Sequence, residues 1–181
     1  MIERLSQFLG LPRDRAILSD YCPQWPELFE QEAQRLRSVC GNALATVEHI
    51  GSTAVPGMPA KPILDLMPGV ATPEDAQRCV EPIRSLGYEY KGEMEIPGRF
   101  YFVLRHNGLS MTHLHLFPTS HPEWQKHLRF RDYLRAHSEA AAEYARLKRE
   151  LAGKFATQRQ AYTNAKDAFI QSILLTAEFE K

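Results

Sequence analysis

The segment Ile63-Leu64-Asp65-Leu66-Met67 is a run of five residues between two prolines, apolar except for one acid. Its length and flanking breakers suit a buried strand and are too short for a helix. Successive strand side chains alternate, so Ile63, Asp65 and Met67 share one face and Leu64 and Leu66 the other. A carboxylate in such a run must be neutralised, hydrogen-bonded, paired or metal-bound. Lys61, four residues upstream, offers the plainest partner, an ion pair.

The preceding segment, EHIGSTAVPG, supplies a second half of a site. A strand is expected over residues 46–50. Gly51 can then take backbone angles closed to other residues, while Ser52 and Thr53 bring hydroxyl donors. Free N–H groups at a helix start beyond such a turn suit an anion such as phosphate. An ordinary turn with Ser52 as an N-cap accounts for the same residues. Glu48 shares a strand face with Ile50 and is either a further ligand or base, or a surface acid.

The segment MTHLHLF places His113 and His115 on one strand face, with Thr112, Leu114 and Leu116 on the other. Were this strand to lie beside the Asp65 strand, an Asp-His-His cluster would form. Two imidazoles and a carboxylate suit Zn, Mn or Fe better than Mg. One histidine could instead bind substrate or carry protons, and a pair of hydrogen-bonded histidines on a half-buried sheet is the simpler alternative. The other five histidines (His49, His106, His121, His127 and His137) read as surface or supporting positions.

Basic residues also fall on apolar stripes. Lys148 lies at helical spacing with Ala141, Tyr144 and Leu151, and Lys166 lies one turn from Tyr162 in a stripe with Ala165, Phe169 and Ile173. Such lysines usually snorkel outward, but they can also reach into a cleft and hold a phosphate. Arg99, in IPGRFYF, is a third basic candidate. Arg131 and Asp132 form a candidate internal ion pair.

Helices are expected over residues 2–9 and 26–39, and from an N-cap at Thr72 with Pro73 at the first helical position up to Gly87. Strands are expected at 46–50, 63–67, 88–95, 100–105 and 111–117. From about 122 to 181 the chain reads as helical, with a break at Gly153. This order predicts an α+β fold with one mixed sheet, in a single domain over residues 1–181. The 22 basic and 22 acidic residues cancel, which argues against a nucleic-acid-coating protein. Cys22, Cys40 and Cys79 are far apart with no CxxC pair, as in a protein with reduced thiols. The charged N-terminus and the lack of an apolar run near the ~20 residues of a membrane span predict a cytoplasmic protein with no membrane partner.

The chain resembles the GrpB-like family, which is grouped with the nucleotidyltransferase superfamily. The resemblance rests on LGLPR, YCPQWPELFEQE, VEHIGSTAVPGMPAKPILDLM, IPGRFYF, THLHLF, FRDYLRAH, EYARLKRELA and RQAYTNAKDAFI. It implies a nucleotidyltransferase-like mixed sheet packed with helices. In active superfamily members the Gly-Ser turn holds nucleotide phosphates, and an Asp-x-Asp/Glu pair with a third acid binds two Mg ions. Gly51, Ser52 and Asp65 match that pattern. Met67 stands where the second acid would be, and His113 or His115 where the third would be.

The expectation is therefore metal-dependent transfer of a nucleotidyl group from a nucleoside triphosphate to a hydroxyl acceptor. Asp65, His113 and His115 would carry catalysis and hold a divalent metal, Mg or Mn, with Zn as an alternative. Gly51, Ser52, Thr53, Lys61, Arg99, Lys148, Tyr162 and Lys166 would surround the nucleotide phosphates. The alternative is a module that binds a nucleotide or another phosphate-bearing small molecule without turnover. A zinc-type hydrolase built on the two histidines ranks third.

Overall fold

The structure is a computed structural model that describes residues 2–179. Met1 and the last two residues of the expected C-terminal helical region lie outside the described residues. Five strands, β1 (Thr46–Ile50), β2 (Leu64–Val70), β3 (Glu89–Tyr90), β4 (Phe100–His106) and β5 (Leu109–Pro118), form one sheet in the order β1-β2-β5-β4-β3. β2 and β5 run parallel, and the other neighbours are antiparallel. Among the described residues seven helices pack around it: α1 (Ile2–Phe8), α2 (Trp25–Cys40), α3 (Pro73–Ser85), α4 (Pro122–Ala136), α5 (Ser138–Lys154), α6 (Arg159–Asn164) and α7 (Asp167–Phe179). The fold is α+β with a mixed sheet, as the order of apolar periodicities predicts.

Several boundaries differ from the sequence expectation, three of them as follows. β2 begins one residue later than expected and runs on through Pro68 and Gly69 to Val70. Its pairing with β5 runs from Leu64 to Leu66 and resumes at Gly69, passing over Pro68, which has no N–H to give. The strand expected over 88–95 shrinks to Glu89–Tyr90, because Gly92 at φ 71° and Met94 at φ 52° turn the chain. The break expected at Gly153 falls two residues later: this exposed glycine is the penultimate residue of α5, which ends at Lys154. The chain then turns over residues 155–158, and a second break lies around His137.

One sheet face carries Leu64, Leu66, Phe102, Leu114 and Leu116 against Leu28 and Leu36 of α2 and Val80 and Ile83 of α3. On α2, fully buried Glu32 accepts from the Tyr88 hydroxyl at 2.8 Å and, on its two carboxylate oxygens, from Arg35 Nη1 at 2.9 and 2.8 Å. α3 starts where expected, with Thr72 Oγ1 accepting from the Asp75 N–H.

The opposite face carries the polar residues and is roofed by α4 to α7. Trp124 of α4 lies on Gly69, where a Cβ would come within 2.7 Å of the indole. Ile50, Met67, Phe117 and Trp124 form a dry cluster, so position 67 is a core position in this chain. Arg131 binds Glu48 at 2.7 Å, the His49 carbonyl at 3.0 Å and Asp132 at 2.7 Å. The expected Arg131–Asp132 pair thus forms, and through Glu48 it fastens α4 to β1. Among the described residues no helix is long and apolar enough to cross a membrane.

Candidate functional site

The end of β1, the turn after it and the middle of β2 meet at one point. Gly51 has φ 70° and ψ −171° and opens a 3₁₀ turn over Ser52–Ala54. A Cβ at Gly51 would stand 2.6 Å from Asp65 Oδ2. Only glycine allows both this backbone conformation and this approach to the carboxylate.

β2 and β5 bring Asp65 opposite His113 in register. Asp65 Oδ1 lies 3.3 Å from His113 Nδ1 and 3.8 Å from His115 Nε2. The outer nitrogens of both rings face arginines: His113 Nε2 is 3.2 Å from Arg159 Nη2, and His115 Nδ1 is 3.4 Å from Arg99 Nη1. A guanidinium only donates, so each outer nitrogen accepts and each Asp65-facing nitrogen carries the proton. Burial works to raise the Asp65 pKa, but the hydrogen bonds and attraction of His113 and His115 outweigh it and hold the carboxyl well below its usual range. Burial lowers the His113 pKa against the opposing pull of Asp65, in keeping with a neutral ring that accepts from Arg159.

This wiring bears on metal binding. A divalent ion held by Asp65, His113 and His115 needs lone pairs on the two nitrogens that here point protons at Asp65. Turning the tautomers over would set N–H against guanidinium N–H on the far side of each ring. Met67 supplies no second carboxylate, and among the described residues no group of three or more His, Cys, Asp or Glu is arranged to hold a metal ion. The donor set in this arrangement does not fit the divalent ion that the family resemblance implies.

The phosphate candidates converge. A cleft of about 460 Å³ opens between the sheet and α4 to α7, and Gly51, Ser52, Thr53, Lys61, Asp65, His113, Lys148, Tyr162 and Lys166 all line it. Lys148, only 1% exposed, donates to Ser52 Oγ at 2.9 Å and to the Pro59 carbonyl. Lys61 and Lys166 lie over the Tyr162 ring, 5.8 and 4.5 Å from its centroid. Burial, and after it the neighbouring positive charges, push Lys148 down to about 6 and Lys61 down to about 7. Burial likewise lowers Lys166 to about 8, with Asp65 opposing. The acids Glu95, Glu123 and Asp167 also reach the lining, Glu123 through a 3.1 Å pair with Lys126.

Two expected residues are engaged differently. The Thr53 hydroxyl meets His49 Nε2 at 2.9 Å, and the His49 ring stacks on Phe29 at 4.6 Å, so Thr53 anchors the turn through its side chain. Arg99 stands outside the cleft, stacked 4.7 Å from the Tyr101 ring centroid and touching His115.

Three contributors escaped the sequence reading. Arg159 precedes Tyr162 by three residues, a spacing that places both on one face of α6. Tyr144, read as a stripe residue, lines the cleft with Lys148 4.8 Å from its ring. His127 also lines it, one position after Lys126; burial drives its pKa down to about 3, and its Nε2 is buried without a partner among the described residues.

Comparison with known proteins agrees with this architecture. A family model described as GrpB protein matches residues 15–175. The UPF0157 protein YqkA of Bacillus subtilis is 38% identical over 169 residues, covering 93% of this chain and 49% of that protein. The chain thus spans about half the length of this relative. The crystal structure of conserved protein GrpB from Enterococcus faecalis superposes with a TM-score of 0.84 at 36% identity, over 91% of this chain and 100% of that one. A cytoplasmic RNA terminal U-transferase gives a TM-score of 0.42 at 11% identity, over 82% of this chain and 44% of that one. In class this is an α+β protein built on a mixed five-stranded sheet. The chain belongs to the GrpB family.

Proposed function

We propose that the cleft binds a nucleotide or another phosphate-bearing small molecule, with the phosphate group against Ser52, Lys61, Lys148 and Lys166. The observation that carries this reading is the convergence of buried Lys148 and half-buried Lys61 and Lys166, all with lowered pKa values, on one cleft beside the Gly51-Ser52 turn. Gathering like charges out of water costs free energy, and a fold meets that cost where a ligand of opposite charge relieves it. Tyr162, with two ammonium groups over its ring, holds Lys61 and Lys166 toward the same point.

Asp65 has a positioning part in this reading. It fixes the two imidazoles, and its charge offsets some of the repulsion among the lysines. Metal-dependent nucleotidyl transfer to a hydroxyl acceptor is the second reading, favoured by the contact between Gly51 and the Asp65 carboxylate. It ranks lower because the donor set in this arrangement does not fit the metal.

Calorimetric titration of inorganic pyrophosphate and of a nucleoside triphosphate, with a chelator present, tests the first reading. Saturable binding that Lys148→Met weakens is the expected result; no heat at millimolar ligand contradicts it. Release of pyrophosphate from labelled nucleoside triphosphates with Mg or Mn would promote the second reading.

A further inference from the structure

The sheet face that floors the cleft continues past His113 into a second depression. This groove has a volume of about 640 Å³ and includes Arg13, Tyr101, Val103, Arg105, His113 and Arg159 in its wall. His113 and Thr163 line both cavities, so only a thin partition separates them. The His113 ring presents Nδ1 to Asp65 on one side and Nε2 to Arg159 on the other.

Two features of the groove point to a ligand. Its floor combines the Tyr101 ring with Val103, which suits a flat or apolar body, while four cations (Arg13, Lys91, Arg105 and Arg159) face two acids, Asp14 and Glu89. Glu89 pairs with both Lys91 and Arg105, which leaves it partly neutralised. Arg159 is the second feature. Its hydrogen bonds go to the Arg13 carbonyl at 3.2 Å and to His113 at 3.2 Å, and neither partner carries a negative charge. A partly buried guanidinium held by neutral groups retains most of its capacity for bidentate binding of an oxyanion.

We propose that the groove is a second ligand site, which takes a small molecule bearing a carboxylate or phosphate group and sets that group on Arg159 beside His113. The inference goes beyond the reading of the cleft and stands without it. Together the two sites would seat two small anionic molecules on either side of one imidazole.

The test is a titration of the isotope-labelled full chain with benzoate and with phenyl phosphate, followed by amide chemical shifts. Saturable shifts at Tyr101, Val103 and Arg105 are expected, and the tighter of the two probes identifies the preferred anionic group. Arg159→Gln and Arg105→Gln, each checked for an unchanged fold, should weaken this binding by about tenfold, the loss of one charge-assisted pair. Lys148→Met should leave benzoate binding intact. Neither probe shifting those amides, or shifts indifferent to both arginine substitutions, overturns the proposal. Pyrophosphate followed at Ser52 in the same samples reports on the cleft separately, so failure of one site is distinguishable from failure of the other.

Discussion

Lys148 Nζ lies 2.9 Å from Ser52 Oγ, which joins α5 directly to the turn that follows β1. The ammonium has three donors; one meets Ser52 and another the Pro59 carbonyl. The wall of the cleft beside it is thus tied to two elements, and on the proposed reading a phosphate entering there would meet groups already oriented.

Binding should take up protons. With Lys148 at about 6, Lys61 at about 7 and Lys166 at about 8, part of the lysine charge is absent near neutral pH. A bound phosphate raises all three values, so pyrophosphate affinity should fall as pH rises from about 6 to about 9. Calorimetry in two buffers of different ionisation enthalpy measures the uptake. Lys148→Met should reduce both the uptake and, by about tenfold or more, the affinity.

The same lysines set the pH dependence of stability. An unfolded lysine titrates near ~10.4, whereas folded Lys148 titrates at about 6. The unfolded state thus binds more protons over the interval between them, and stability should rise with pH from about 7 to about 9. Urea unfolding across that range should show the rise in the ligand-free protein and a shallower one in Lys148→Met.

Gly51→Ala tests the fit between the turn and Asp65. The substitution puts a Cβ at φ 70° and 2.6 Å from a carboxylate oxygen. It should cost about 1–3 kcal/mol of stability, read from the urea midpoint, and should weaken pyrophosphate binding as the turn moves.

Asp65→Asn separates the two readings of the cleft. If Asp65 only positions neighbours, removing a negative charge from the wall of an anion site should leave pyrophosphate binding unchanged or tighten it, by up to about tenfold. If a metal on Asp65 bridges to the phosphate, the same substitution should abolish metal-dependent binding. Titrations with chelator and with Mn, on wild type and variant, report which holds.

Much of this architecture was legible in the chain. Alternation alone put Asp65 on one face of a strand and His113 and His115 on one face of another, and the parallel pairing of β2 with β5 brings Asp65 opposite His113. The Gly51 turn and the Lys148 stripe could be read because glycine torsions and helical spacing are local properties. The state of the imidazoles was not legible. It depends on Arg99 and Arg159 arriving from a loop and from α6, and no local pattern says which nitrogen each guanidinium will meet. The helix break assigned to Gly153 begins two residues later, at Phe155, an offset that local propensity does not resolve. Met67 reads as a lost ligand in sequence and as a core residue beneath Trp124 in three dimensions.

The proposed function depends on where a phosphate sits, and a crystal soaked with a nucleoside triphosphate in the presence of chelator measures that directly. Phosphate density within hydrogen-bonding distance of Ser52 and Lys148, with Asp65 still bonded to His113, is the predicted result. An empty cleft at saturating ligand, or a phosphate that appears only with a metal ion on Asp65, would contradict it.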